Sequence, residues 1–129
     1  MLTGYYPQFF TATILEWKPL LKQDKYKDII IDSLRFLVQQ NRVKLYSFVI
    51  MPTHIHLIWQ IQPGHKRENV QRDFLKYTAQ KIKFDLLEND KQWLQQFKVD
   101  AKDKRYQIWE RNPMSTDLYN HKAFLQKLE

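Results

Sequence analysis

His54 and His56 are the residues in this chain best suited to chemistry, because they stand two apart in an extended apolar run, Met51-Pro52-Thr53-His54-Ile55-His56-Leu57-Ile58-Trp59. Side chains along a strand alternate between faces, so a separation of two puts both imidazoles on one side. Two imidazole nitrogens close together on one face can chelate a divalent metal ion. On spacing alone, a pair of half-exposed strand histidines is the commoner explanation, and the surrounding sequence has to separate the two readings. Ile55, Leu57, Trp59 and Ile61 fall on the opposite face and read as core. Pro52 ends the preceding strand and fixes the entry of this one.

Several elements must position that pair. Residues 7–17 are rich in β-branched and aromatic side chains and read as a strand. From Asp24 to Asn41, Ile30, Ile31, Leu34, Leu37 and Val38 form a helical stripe. Val43–Met51 and His54–Gln62 read as two strands of a hairpin with a tight connection, closed by the turn Pro63-Gly64. Glu68–Glu88 reads as a long helix with Leu75, Ala79, Ile82 and Leu86 inward. Residues 91–104 look irregular, with Trp93, Leu94 and Phe97 as anchors. Arg105–Glu110 is the expected fourth strand, Asn112-Pro113 a turn, and 121–129 a last helix. The order β-α-β-β-α-β plus a C-terminal helix predicts an α+β, ferredoxin-like fold, an antiparallel sheet with helices packed on it, in one domain over residues 1–129.

Composition narrows the chemistry. The chain has 129 residues, 43% of them hydrophobic, enough for one real core. It has no cysteine, which removes disulfides, thiolate metal sites and cysteine nucleophiles. Its two glycines, Gly4 and Gly64, cannot build a glycine-rich phosphate loop. No apolar run is long enough to span a bilayer and no signal peptide opens the chain, so a cytoplasmic protein without membrane contact is expected. The net charge of +7 favours a polyanionic partner. Lys66, Arg67, Arg72, Lys76, Lys81 and Lys83 form the candidate DNA-binding face, although such a run is also an ordinary solvated helix face.

The window Ser47–Trp59 resembles the signature of the IS200-like, single-tyrosine transposase family, an apolar strand followed by Met-Pro-x-His-x-His. Phe9-Phe10-Thr11-Ala12-Thr13 is similar to that family's first strand, Phe74-Leu75-Lys76-Tyr77-Thr78 to its basic helix, and Ile108-Trp109-Glu110-Arg111 to its Trp-Gln-x-Arg segment. The resemblance runs from about residue 5 to the end and is nearest to the subgroup associated with repetitive extragenic palindromes. It implies that His54 and His56 bind Mg²⁺ or Mn²⁺. It also implies a DNA partner, single-stranded or hairpin-forming, and a homodimer. The implied reaction is metal-dependent cleavage and strand transfer of single-stranded DNA through a phosphotyrosine.

The resemblance also marks a departure. The family's tyrosine sits on a C-terminal helix, with a polar third metal ligand one turn later. Here the matching stretch ends at Lys127-Leu128-Glu129, so the expected nucleophile and third ligand lie just after Glu129. Tyr77 is the weak in-chain substitute, as a nucleophile, a packing residue or a base-stacking platform, and Tyr119 is weaker still. Tyr5, Tyr6, Tyr26, Tyr46 and Tyr106 read as packing residues. His65 and His121 read as solvated, and Glu16, Asp73 and Glu110 as carboxylates without specific support. Two functions therefore remain open: a strand transferase and a catalytically silent hairpin-binding module of the same fold.

Overall fold

The computed structural model describes residues 5–100, 105–119 and 121–128, without the side chains of His121, Ala123 and Phe124. Four strands, β1 (Gln8–Thr13), β2 (Val43–Ile50), β3 (His54–Ile61) and β4 (Met114–Asp117), form one sheet in the order β2-β3-β1-β4, with antiparallel neighbours throughout. Helices α1 (Asp24–Gln39) and α2 (Arg67–Asn89) pack on one face of it. A short helix α3 (Lys91–Gln95) follows α2, and α4 (His121–Leu128) is the last element among the described residues. This is the ferredoxin-like arrangement. Among the described residues, no helix is long and apolar enough to cross a membrane.

The core lies between sheet and helices. Phe10 and Ala12 from β1, Ile55, Leu57, Trp59 and Ile61 from β3, and Val43 from β2 are buried against Ile30, Leu34 and Leu37 of α1 and Val70, Phe74, Ile82 and Leu86 of α2. Trp59 stacks on Phe10 and meets Phe74 edge-on, joining both layers.

Three elements differ from the reading of the sequence. Arg105–Glu110 is not the fourth strand. It makes isolated bridges, Tyr106 to Lys98 and Trp109 to Ile14, beyond the end of β1. The edge of β1 is taken instead by Met114–Asp117, which pairs with Gln8–Thr11. Consecutive burial of Ile108 and Trp109 breaks the alternation a ladder would need, while the fourth strand itself carries weak strand formers. The strand expected over 7–17 stops at Thr13, where its partner β3 begins, and the chain turns through two 3₁₀ segments, Leu15–Trp17 and Leu20–Lys22. The inward stripe of α2 is Val70, Phe74, Thr78, Ile82 and Leu86, whereas Leu75 and Ala79 are only half-buried. A polar residue, Thr78, conceals that stripe. Its hydroxyl donates to the Phe74 carbonyl and accepts from the Trp109 indole N–H at 3.0 Å, so its burial is satisfied. Residues 101–104, in the stretch expected to be irregular, lie outside the described residues.

The helix pair is joined by a buried phenol. Tyr26 on α1 donates to Asp85 Oδ1 on α2 at 2.8 Å, and Lys25 Nζ reaches the same oxygen at 2.8 Å. Partial burial disfavours the charged carboxylate, but hydrogen bonds from Lys25 and Tyr26 outweigh it and hold Asp85 below its ordinary range. Burial first, then the Asp85 bond, pushes the Tyr26 hydroxyl well above its usual pKa. A carboxyl depressed in the folded state stabilises the fold above its unfolded value, 3.8, and loses that contribution as pH falls through the lower folded value. Tyr26→Phe is therefore expected to lower stability by about 1–2 kcal/mol in neutral urea denaturation. The deficit should shrink as the pH drops below 3.8; a deficit independent of pH would remove Asp85 from the explanation.

Candidate metal centre and nucleic-acid interface

β3 has neighbours on both sides, so its register is fixed twice. Thr13 pairs with His54 and Thr11 with His56 on the β1 side, and Val49 pairs with His56 on the β2 side. The alternation expected from the sequence is present. Ile55, Leu57, Trp59 and Ile61 go into the core, while His54 and His56 project, half-buried, from the face opposite α1 and α2. Their ring centroids are 4.7 Å apart.

Each ring is held by a threonine. Thr53 Oγ1 lies 2.9 Å from His54 Nδ1, and Thr11 Oγ1 lies 2.9 Å from His56 Nδ1. When the hydroxyl accepts, Nδ1 carries the proton and the lone pair sits on Nε2, away from the hydroxyl. This is the outer support that metal-binding imidazoles use to fix tautomer and orientation. Phe9 stacks on His56 at 5.3 Å, and Trp17 meets His54 edge-on at 5.6 Å. Burial, then the neighbouring His54 and then Lys127, lowers the His56 pKa, which favours the neutral ring that can donate a lone pair. Among the described residues, no cluster of three or more histidines, aspartates or glutamates is placed to hold a metal.

The turn beside His54 is strained. Glu16 and Trp17 both have left-handed backbones, φ 54° and 58°. Asparagine tolerates that region, as Asn41 and Asn112 do here, but a bulky residue there is an outlier, and each such residue costs about 1–3 kcal/mol. The surroundings hold the turn in place. Leu15 N–H donates to the Ile108 carbonyl at 2.8 Å, Glu16 N–H to Glu110 Oε1 at 2.9 Å, and Trp17 N–H to the Ile14 carbonyl at 2.9 Å.

The anticipated basic face is divided into parts. Arg72, Lys76 and Lys83 line one flank of α2, facing Tyr106–Pro113 across a groove of about 780 Å³ to which Arg111 adds a further cation. Lys66 and Arg67 stand at the start of α2 beside His65 and Asp117, with Arg67 4.0 Å from that carboxylate. Lys81 lies elsewhere on α2, over the half-exposed Tyr77 ring at 5.9 Å. Tyr77 thus belongs to the helix layer, and the sheet separates it from the histidines. Tyr119 packs edge-on against Tyr6. Asp73 is paired with Arg72 on α2, and the Glu110 carboxylate is engaged by Glu16, so neither joins the histidines. The His121 side chain lies outside the described residues. The sequence assigned no role to Thr11, Thr53, Trp17 or Arg111. Thr53 lies within the histidine motif and Arg111 in the segment matched to Trp-Gln-x-Arg, but Thr11 and Trp17 become visible only once the register and the turn are known.

The family model described as "Transposase IS200 like" matches residues 12–112. Among solved structures, a REP-associated tyrosine transposase bound to a REP hairpin superposes with a TM-score of 0.68 at 14% identity, over 98% of this chain and 64% of that one. A candidate transposase from Deinococcus radiodurans R1 superposes with a TM-score of 0.63 at 16% identity, over 98% of this chain and 90% of that one. At these identities the likeness is one of fold. The chain spans 64% of the length of the hairpin-bound protein. No curated protein matches it.

The threonine contacts carry a direct prediction. Long-range ¹⁵N–¹H NMR of the neutral imidazoles is expected to show the proton on Nδ1 of both rings. Thr11→Val should return His56 alone to the tautomer mixture of an unconstrained imidazole. Protonation on Nε2 in the unaltered protein would contradict the assignment.

Proposed function

Because the chain belongs to the IS200-like transposase family, we propose that it cleaves and transfers single-stranded DNA next to a hairpin, with Mg²⁺ or Mn²⁺ held by His54 and His56. The observation that carries this reading is the pair itself. Two imidazoles share an open sheet face, each anchored through Nδ1 with Nε2 left for a ligand. Nitrogen donors suit Mn²⁺ better than the harder Mg²⁺. An ion held there by His54 and His56 would supply neutralisation of charge at the scissile phosphate.

The chain's own residues do the remaining work. His54 and His56 fix the position of the ion, and Thr11 and Thr53 fix the histidines. The nucleophile implied by the family is a phenol, weak at neutral pH because its ordinary pKa is near 10. Its oxygen forms a bond to phosphorus as the bond to the 3′ oxygen breaks. The products are a 5′-phosphotyrosine and a 3′-hydroxyl that takes up the proton. Among the described residues, α4 comes near the pair through Lys127, whose Nζ lies 4.8 Å from the Phe9 ring, which in turn stacks on His56.

The DNA backbone follows the cations. Arg72, Lys76, Lys83 and Arg111 share one groove, and the segment forming its far wall passes the histidine end of the sheet, where Glu110 N–H donates to the Thr13 carbonyl. A homodimer fits the exposed edge strand β2, where Phe48 and Val49 present apolar side chains. A second reading, a silent hairpin-binding module, is favoured by the place of Tyr77, the in-chain candidate nucleophile, which sits on α2 with the sheet between it and the histidines.

Incubating the full-length protein with Mn²⁺ and a labelled, hairpin-bearing single strand separates the two readings. Strand transfer predicts a covalent protein–DNA band that disappears in His54→Ala and His56→Ala. Binding without any such band supports the silent module. Affinity should fall steeply with salt, and Lys76→Ala or Arg111→Ala should each flatten the log–log slope by about 0.7–0.9. An unchanged slope in both variants would move the DNA off the groove.

A further inference from the structure

We infer that Trp17 is a stacking platform for the unpaired base next to the phosphate at the histidine pair. The inference rests on the single-strand reading above and adds to it a residue that contacts the substrate.

Three observations converge on Trp17. The indole is 62% exposed, whereas Trp59 and Trp109 are buried and Trp93 packs against Phe97. The ring stands at the candidate site, its centroid 5.6 Å from that of His54 with the two planes inclined at 63°. Finally, the residue is presented by a backbone that tryptophan does not choose. Glu16 and Trp17 are consecutive left-handed residues. The turn is held by Ile14 N–H to the Thr53 carbonyl, Leu15 N–H to Ile108, Glu16 N–H to Glu110, Trp17 N–H to Ile14 and Lys18 N–H to Leu15. A strained turn kept by so many contacts, ending in an exposed indole at a metal site, is the arrangement expected of a residue held ready for a ligand.

The ligand follows from the chemistry of the place. An indole offers a flat, apolar face that accepts any nucleobase, since every base has a π-face. Such a face is useless to a base that remains stacked inside a duplex. It therefore selects an unpaired nucleotide, and its position beside His54 selects one adjoining the scissile phosphate. Lys18 pairs with Glu16 in the same turn at 3.0 Å and keeps that carboxylate from standing unpaired beside the incoming backbone.

The test uses the intrinsic fluorescence of the full chain. Two oligonucleotides are titrated, one hairpin with an unpaired extension and the same hairpin with blunt ends. In the unaltered protein, the extended hairpin is expected to quench emission and the blunt one to quench it little. Trp17→Phe should abolish most of that quenching while the other three tryptophans remain. Trp17→Gly suits the left-handed backbone and removes the ring. It should leave thermal stability unchanged or raised, yet weaken the extended hairpin about tenfold and the blunt one hardly at all. Equal affinity of Trp17→Gly and the unaltered protein for the extended hairpin overturns the inference, as does equal loss on both hairpins. Failure of the unaltered protein to bind either hairpin overturns the single-strand reading itself, and with it this assignment.

Discussion

Everything in this molecule turns on the two faces of β3. The strand places Ile55, Leu57, Trp59 and Ile61 in the core and His54 and His56 on the other side. A slip of one residue would exchange the two sets, because side chains repeat with a period of two. Burying each of those apolar side chains contributes about 1.5–3 kcal/mol, whereas two half-buried imidazoles contribute far less. The core therefore decides where the histidines point. The site inherits its geometry from packing energy on the far side of the sheet and needs no stabilising interaction of its own to be oriented.

The same economy governs the end of the sheet where His54 emerges. Four separate segments are tied together there by backbone hydrogen bonds. Ile14 reaches Thr53, Leu21 reaches Pro52, Leu15 reaches Ile108, and Glu110 reaches Thr13. Together they fix the entry to β3, the strained turn at Glu16 and Trp17, and the wall of the basic groove. Histidines, indole and the segment leading to Arg111 are thus joined by one set of backbone contacts, whereas Arg72, Lys76 and Lys83 reach the groove from α2. α4 approaches the pair from the open face of the sheet through Lys127 and Phe9.

How much of this the sequence disclosed depends on the range of the interaction involved. The hairpin of β2 and β3 was legible because its alternation is local and Pro52 marks its boundary. The bounds of α1 and α2 were legible for a similar reason, to within a few residues. The fourth strand was not. Met114–Asp117 has Thr116 as its one strand former and exists because β1 offers it an edge, while the better-looking Arg105–Glu110 runs past that edge. The inward face of α2 was misread because its central residue is Thr78, whose polarity is satisfied by Trp109, thirty-one residues away. In the site, the histidines showed themselves and their supports did not. Thr11 supports His56 across forty-five residues of sequence, and Trp17 reaches His54 through a backbone conformation that no propensity predicts.

In the proposed site, Nε2 of His54 and Nε2 of His56 form one side of a divalent-metal centre on the open face of the sheet. Anomalous diffraction from crystals grown with Mn²⁺ and a hairpin-bearing single strand tests it most directly. One manganese peak is expected within bonding distance of both Nε2 atoms, with the threonine hydroxyls still on Nδ1. A peak elsewhere with the histidine face empty, or rings turned so that Nδ1 faces the ion, would contradict it.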